Sequence, residues 1–124
     1  MRTDRQRAGD DAEALVAAHL EDRGWTIVGR NVRAGRGELD LVAIDPGPPR
    51  ELVIVEVRRR SSRAFGLAEE TVDRRKRQVV HRAAWRWLDD ADRPDLPIRF
   101  DLVVVEPSPT VTGGQVIRRH PAAF

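Results

Sequence analysis

The chain has 124 residues, a formal net charge of +2 and no cysteine. This length fits one domain that buries roughly two thirds of its unfolded surface, and the lack of cysteine excludes disulfides, zinc–thiolate sites and thiol catalysis. No apolar run approaches the ~20 residues of a membrane span, and the N-terminal segment lacks the apolar stretch of a signal peptide. We therefore expect a single cytoplasmic domain over residues 1–124, without membrane contact.

Arginine supplies nearly all the positive charge: of the 22 basic residues, only Lys76 is a lysine. Guanidinium groups bind phosphates bidentately and stack on bases, so nucleic acid is the first partner class to consider. A base-composition bias of the source genome is the alternative explanation. The basic residues form two clusters, which indicate a directed basic surface. These are Arg58, Arg59, Arg60 and Arg63, and then Arg74, Arg75, Lys76 and Arg77.

The first predicted helix begins at Asp10 or Asp11, either of which can cap it, and ends at Arg23 before Gly24. Its apolar positions are Leu15, Val16, Ala17 and Leu20. Three runs rich in β-branched and apolar residues then predict strands that are joined by short turns and are antiparallel. These strands are 25–32, 38–44 and 52–58.

A long helix is predicted over about Glu69–Asp90, where Val72, Val79, Val80, Ala83 and Trp87 recur at helical spacing. A fourth strand follows at 98–106, and a fifth at 115–119. The long helix can serve as a crossover that places the third and fourth strands side by side in parallel. The order α-β-β-β-α-β-β thus predicts an α/β fold with a mixed central sheet flanked by helices.

Two carboxylates are expected to meet at one end of this sheet. Alternation places Glu56 and Arg58 on one face of the third strand. It also places Glu38, Asp40, Val42 and Ile44 on one face of the second. If the faces coincide, Asp40 and Glu56 approach each other, and a hard cation such as Mg²⁺ would offset their repulsion. The alternative is that each acid pairs with an arginine.

Glu13 has two interpretations. It lies three residues after Asp10, the spacing of a capping box. It also aligns with Val16, Ala17 and Leu20, so its carboxylate could reach over the end of the sheet.

The residues together resemble a known family. The set consists of Glu13, "GELDLVA" (37–43), "VIVEVR" (53–58), "RRKRQ" (74–78) and "RFDLVVV" (99–105). It resembles UPF0102, a family of small bacterial proteins related to archaeal Holliday-junction resolvases within the PD-(D/E)XK nuclease superfamily. The resemblance covers about residues 9–105. It implies a restriction-endonuclease-like αβββαβ core with a Mg²⁺ (or Mn²⁺) site for phosphodiester hydrolysis.

By that resemblance, Glu13, Asp40 and Glu56 hold the metal and Arg58 takes the place of the superfamily's lysine. Arginine is effectively always protonated, so Arg58 can hold a phosphate but cannot accept a proton. Lys76, which aligns with the inward-facing positions of the long helix, is the alternative for that role. It could equally be a solvated surface residue.

Two functions remain open at this point. One is a metal-dependent endonuclease acting on DNA, with branched DNA implied by the resemblance; the other is a non-catalytic nucleic-acid-binding module. The resemblance also suggests a homodimer as the oligomeric state, because enzymes that cut DNA junctions usually cut two strands symmetrically. Trp85 is expected at the surface and Trp87 in the core. The residues predicted to contact nucleic acid are Arg58, Arg59, Arg60, Arg63, Arg74, Arg75, Arg77 and Gln78.

Overall fold

The computed structural model describes residues 3–60, 74–90 and 95–124. The elements follow the predicted order α-β-β-β-α-β-β. No helix in these ranges combines the length and apolar character needed to cross a membrane. The elements are α1 (Asp4–Glu21), β1 (Thr26–Ala34), β2 (Gly37–Asp45), β3 (Glu51–Arg59), α2 (Arg74–Asp90), β4 (Ile98–Pro107) and β5 (Gln115–His120).

The five strands form one mixed sheet in the order β1-β2-β3-β4-β5. The pairs β1–β2, β2–β3 and β4–β5 are antiparallel, while β3 and β4 are parallel. A parallel neighbour requires a long crossover, and the connection from β3 to β4 includes α2. This confirms the predicted α/β fold and is consistent with an αβββαβ core.

Helices cover both faces of the sheet. Residues of β3 alternate between two core clusters, as expected for a strand that is buried on both sides. Val53 and Val55 pack with α1 at Val16 and Leu20. On the opposite face, Ile54 and its neighbours pack with α2 at Val80, Ala83 and Leu88. Trp87 packs against this second cluster, while Trp85 is 48% exposed, which confirms the expectation for both tryptophans.

The start of α1 differs from the prediction. The helix begins at Asp4, so Asp10 and Asp11 lie within it and neither one caps it. The capping-box interpretation of Glu13 is therefore wrong, because Asp10 is not at the N-terminus of the helix. Gly24, with a φ of 86°, follows the helix as predicted. Left-handed backbone of this kind favours glycine just after a helix.

Two apolar residues predicted for the core are exposed instead. Leu15 is 38% and Val79 is 43% exposed. On each helix only the stripe that faces the sheet is buried, and both residues lie beside that stripe rather than on it. Val72, which was assigned to the same stripe as Val79, lies outside the described residues.

Arg99 joins three strands at the end of the sheet where the β2–β3 connection lies. Its guanidinium donates Nε–H and Nη2–H to the two carboxylate oxygens of Asp101, both at 2.8 Å. It also contacts Glu51 at 3.0 Å and Asp45 at 3.1 Å.

Gly37 lies where α2 passes closest to β2, and it yields a test of this packing. A Cβ atom at position 37 would lie 2.7 Å from the Cβ of Ala83 and 3.2 Å from the carbonyl oxygen of Val79. We therefore expect Gly37→Ala to lower the free energy of unfolding by about 1–3 kcal/mol, measured by urea denaturation.

The control is the double variant Gly37→Ala/Ala83→Gly, which removes the colliding methyl group. We expect it to be more stable than the sum of the two single effects predicts. If the effects of the two single substitutions on the free energy of unfolding simply add in the double variant, the contact with Ala83 is not what excludes a side chain at position 37.

Candidate functional site

The sheet opens between β2 and β3 at Asp40. The ladder between these strands ends at the pair Leu41 and Val55, although both strands continue alongside their other neighbours. The carboxylate of Asp40 lies in this opening, where its Oδ2 accepts a hydrogen bond from the backbone N–H of Val57 at 2.8 Å. A side-chain oxygen thus satisfies an amide that the ladder no longer pairs, and it bridges the two separating strands.

Strand alternation breaks at the same point. Leu39 packs in the cluster on the α2 side together with Val42, whereas Leu41 packs on the α1 side. Asn31, opposite Asp40 in β1, has a φ of 50°, a left-handed conformation that asparagine tolerates better than most residues. The prediction that alternation runs unbroken from Glu38 to Ile44 is therefore wrong, because the backbone is kinked at this position.

Glu56 follows Val55, the last residue of β3 that pairs with β2, and is 4% exposed. Its Oε1 lies 2.8 Å from the Nζ of Lys76, in the first turn of α2. The Lys76 side chain is 42% exposed, so the ion pair joins a buried acid to a base at the rim of the cleft. The approach of Lys76 to Glu56 brings the second cluster of basic residues to the acidic end of the sheet.

Glu13 reaches the same place from the opposite layer. It is 9% exposed and lies one turn before Val16 and Ala17 on the buried stripe of α1. Its carboxyl group is in hydrogen-bond contact with Asp40 and with Asn31. Its Oε2 atom is buried and has no hydrogen-bond partner within the described part of the chain. Because this buried carboxylate oxygen accepts no hydrogen bond from the described residues, binding of a cation or a proton next to it would be favourable.

Asp40 and Glu13 both have raised pKa values, mainly because their carboxyl groups are buried. Burial, followed by the charge of Glu56, raises the pKa of Asp40 from 3.8 to about 8, despite the opposing effect of the Val57 amide. Burial also raises the pKa of Glu13, helped by the charges of Asp10 and Glu38. In the absence of a cation, Asp40 therefore holds a proton at neutral pH. A divalent ion would displace that proton and stabilise the charged form.

These side chains line a cleft of about 900 Å³. Acidic and basic residues are both present, with the acids at the opening of the sheet and the bases on β1, the β1–β2 turn and α2. Such a cleft combines oxygen ligands for a cation with donors for an anion. The charged lining residues are Asp10, Glu13, Glu38, Asp40, Glu56, Arg33, Arg36, Arg75 and Lys76.

The donor atoms fit magnesium or manganese. Asp40 and Glu56 supply carboxylate oxygens, and the two groups are close enough for the charge of Glu56 to raise the pKa of Asp40. Among the described residues, no three histidine, aspartate or glutamate side chains are gathered closely enough to hold an ion together. Mg²⁺ is commonly held by only one or two carboxylates, with water and substrate phosphate completing its shell. The fit is therefore to an ion held by Asp40 and Glu56, with Glu13 placed to bind Asp40 rather than to serve as a third ligand.

Arg58 is not among the described residues that line this cleft. It lies beside Val104 of β4, and its buried Nε has no hydrogen-bond partner in the described ranges. Lys76 does line the cleft. The residue that the structure brings to Glu56 is thus the helix lysine and not the strand arginine.

The predicted nucleic-acid-binding residues separate into groups. Arg75 is exposed and lines the cleft, and Arg59, Arg77 and Gln78 are exposed. Arg63 lies outside the described residues, as does the side chain of Arg74.

Arg60 was expected at the rim, but its side chain is only 8% exposed and its Nη1 lies 4.0 Å from Glu106. Glu106 is itself buried and accepts a hydrogen bond from Arg118 at 2.6 Å. The rim prediction for Arg60 is therefore wrong, because this buried acid draws the arginine inward.

The comparisons with known proteins identify the family of this chain. The model of the family described as "Uncharacterised protein family UPF0102" matches residues 12–105. The chain belongs to the UPF0102 family. A UPF0102 protein of Halorhodospira halophila is 45% identical over 105 residues, covering 85% of this chain and 82% of the relative. One from Moorella thermoacetica is 40% identical over 120 residues, covering 95% and 98%.

Glu13, Asp40, Glu56 and Lys76 all fall within the UPF0102 match. One site residue was missed: Asn31, which contacts Glu13 and carries the kink opposite Asp40. A signal was available, because asparagine is depleted in strands and tolerates left-handed backbone. An asparagine within a predicted strand thus indicates a local irregularity.

The raised pKa of Asp40 predicts a pH-dependent stability. Because its folded pKa of about 8 exceeds its ordinary value of 3.8, this group contributes stability that is complete below about pH 4. That contribution is lost as the pH rises through about 8. Asp40→Asn keeps an oxygen for the Val57 amide and removes the charge, so we expect it to unfold at a higher temperature than the wild type at about pH 9.

The expected gain at about pH 9 is at least ~1 kcal/mol, or about 4 °C, and it should shrink towards about pH 5. Thermal unfolding in EDTA measures it. Asp11→Asn, at an exposed position of α1, is the control and should show no comparable gain. Equal pH profiles for wild type and Asp40→Asn would contradict the clustering of the carboxyl groups.

Proposed function

We propose that this UPF0102 protein is a metal-dependent phosphodiester hydrolase that cuts DNA. The observation that carries the proposal is the buried contact between Asp40 and Glu56 with Lys76 2.8 Å from Glu56, in a cleft also lined by arginines. When bound, Mg²⁺ or Mn²⁺ would acidify a water molecule and offset charge on the phosphate. Asp40 and Glu56 hold such an ion, and Val57 orients Asp40 through its amide.

Lys76 acts next to the metal ligands in this proposal. If Glu56 held an ion, its ion pair with Lys76 would weaken, and the Lys76 ammonium group would be available to position a water molecule or to bind the phosphate. Lysine differs from arginine here because it can give up its proton near an active site. Arg58 keeps its charge, and any contribution from it is electrostatic.

Glu13 completes the arrangement from α1. Its contact with Asp40 restricts the rotation of that carboxylate, and its charge increases the affinity of the cleft for a cation. We infer that Arg75 and Arg36, which are exposed and line the cleft, bind phosphates of the DNA backbone near the cut. Positioning together with electrostatic stabilisation accounts for most of catalysis in phosphoryl transfer.

A non-catalytic nucleic-acid-binding module is the second candidate. It is favoured by the ion pair itself, because Lys76 already neutralises Glu56 without a metal. In either case the partner is DNA, which in a bacterial cell lies in the cytoplasm. Cutting of branched DNA by a homodimer would follow from symmetric action on two strands.

The first test concerns the metal ligands. Labelled four-way junction, flap, duplex and single-stranded DNA are incubated with Mg²⁺, Mn²⁺ or EDTA. We expect metal-dependent cleavage by the wild type and its loss in Asp40→Asn and in Glu56→Gln, because each removes a ligand charge. Glu21→Gln, at an exposed position of α1, is the control and should cleave normally.

Binding of DNA without cleavage under every condition would favour the second candidate. Unchanged cleavage in both ligand variants would contradict the proposed site.

The second test concerns Lys76. We expect Lys76→Met to lower the cleavage rate by about 10²–10⁴-fold, the usual contribution of a general acid or base. Lys76→Arg keeps the charge beside Glu56 and should stay folded, but cannot exchange a proton. Single-turnover rates across a range of pH measure both variants. If Lys76→Arg cleaves as fast as the wild type, Lys76 serves only as a phosphate-binding charge.

A further inference from the structure

A second groove of about 910 Å³ lies beside the acidic cleft, between α2 and the β1–β2 turn. We call it the α2 groove. Arg36, Gly37, Arg75 and Val79 line both the α2 groove and the acidic cleft, so the two form one continuous surface. A chain lying in the α2 groove would therefore lead directly to Asp40.

The walls of the α2 groove are closely packed. Gly35, in the turn, has a φ of 61°, and a Cβ atom there would lie 3.1 Å from the Cδ of Arg86. A Cβ atom at Gly37 would lie 2.7 Å from the Cβ of Ala83. The turn is thus held against the helix at two points, which gives the groove a defined width without a bound partner.

Positive charge dominates the α2 groove. Among the described residues that line it, four are arginines, three on α2 and one on the turn, and one is an acid, Asp89. The three helix arginines lie within a stretch of twelve residues, from Arg75 to Arg86, which rises about 16 Å along the helix axis. All four arginines are exposed. A row of exposed guanidinium groups of this length is complementary to a chain of phosphates. The four are Arg36, Arg75, Arg82 and Arg86.

Trp85 lines the same groove and is 48% exposed, and Val79, which also lines it, is 43% exposed. The protein thus leaves part of an aromatic ring in water between charged residues. An exposed aromatic beside arginines stacks well on a nucleic-acid base, but only on a base that is not already stacked within a duplex. This combination favours unpaired nucleic acid over double-stranded nucleic acid.

We propose that the α2 groove binds single-stranded nucleic acid that leads into the acidic cleft. The arginines hold successive phosphates, and Trp85 stacks on an unpaired base. The proposal rests on the proposed function and narrows it, because it names the substrate class: nucleic acid with a single-stranded segment next to the cut.

The test is a binding measurement that does not require cleavage. Fluorescence anisotropy of labelled oligothymidylate and of a hairpin duplex is measured with the full chain in EDTA. We expect tighter binding of the single strand. Trp85→Ala should weaken that binding by about 5-fold to 100-fold, and Trp85→Phe should restore most of it, because stacking needs only a ring.

Arginine variants supply an independent measurement. Arg82→Gln should lower the slope of log affinity against log salt by about 0.7, the value for one phosphate contact on a single strand. Arg50→Gln removes the same charge from the exposed β2–β3 connection at the opposite end of the sheet, and should leave the slope unchanged. Thermal unfolding confirms that each variant is folded.

Three outcomes would overturn the proposal: equal affinity for duplex and single strand, unchanged binding in Trp85→Ala, or equally effective competition by polyglutamate. The two proposals fail separately. If the protein shows metal-dependent cleavage but Trp85→Ala does not change binding, the groove proposal is wrong and the nuclease proposal stands. If single-strand binding depends on Trp85 but no metal supports cleavage, the nuclease proposal is wrong and the groove proposal stands.

Discussion

The hydrogen bond from the Val57 amide to Asp40 is the contact on which the site depends. At this point the β2–β3 ladder ends, and an unpaired amide would be costly so close to the core. The carboxylate satisfies that amide and is thereby held between the two strands. Glu56 precedes Val57 in the chain, so the same bond sets the separation of the two acids. This one hydrogen bond therefore contributes both to the stability of the sheet and to the geometry of the site.

The two helical layers contribute opposite charges to this opening. From one face α1 brings Glu13, and from the other α2 brings Lys76. Carboxyl groups that are close together and buried resist ionisation, as the raised pKa of Asp40 shows. The protein thus holds an arrangement that lowers its stability at alkaline pH and that a cation would relieve. A loss of stability of this kind is typical of a functional site rather than of residues that serve only to pack the core.

Much of this arrangement could be predicted from residue patterns. Period-two and period-3.6 spacing located the strands and helices, and Asp40, Glu56 and Glu13 were identified as one group of acids. The wrong predictions arose where one sequence pattern is compatible with more than one structure. Asp10 resembles a helix cap, but the helix begins earlier; Leu15 and Val79 are apolar, but lie beside the buried stripes. The kink at Asn31 broke the alternation that had been assumed through Asp40.

The sequence by itself determined the elements, their order and the α/β class, because these depend on local spacing and on the chemistry of turns. It also determined which acids were available. Only the tertiary structure decided that Lys76, and not Arg58, contacts Glu56, and that Arg60 pairs with the buried Glu106. Periodicity states which way a side chain points within its own element. The distance between two elements depends on how closely their surfaces pack, as at Gly37 and Ala83, and no single element carries that information.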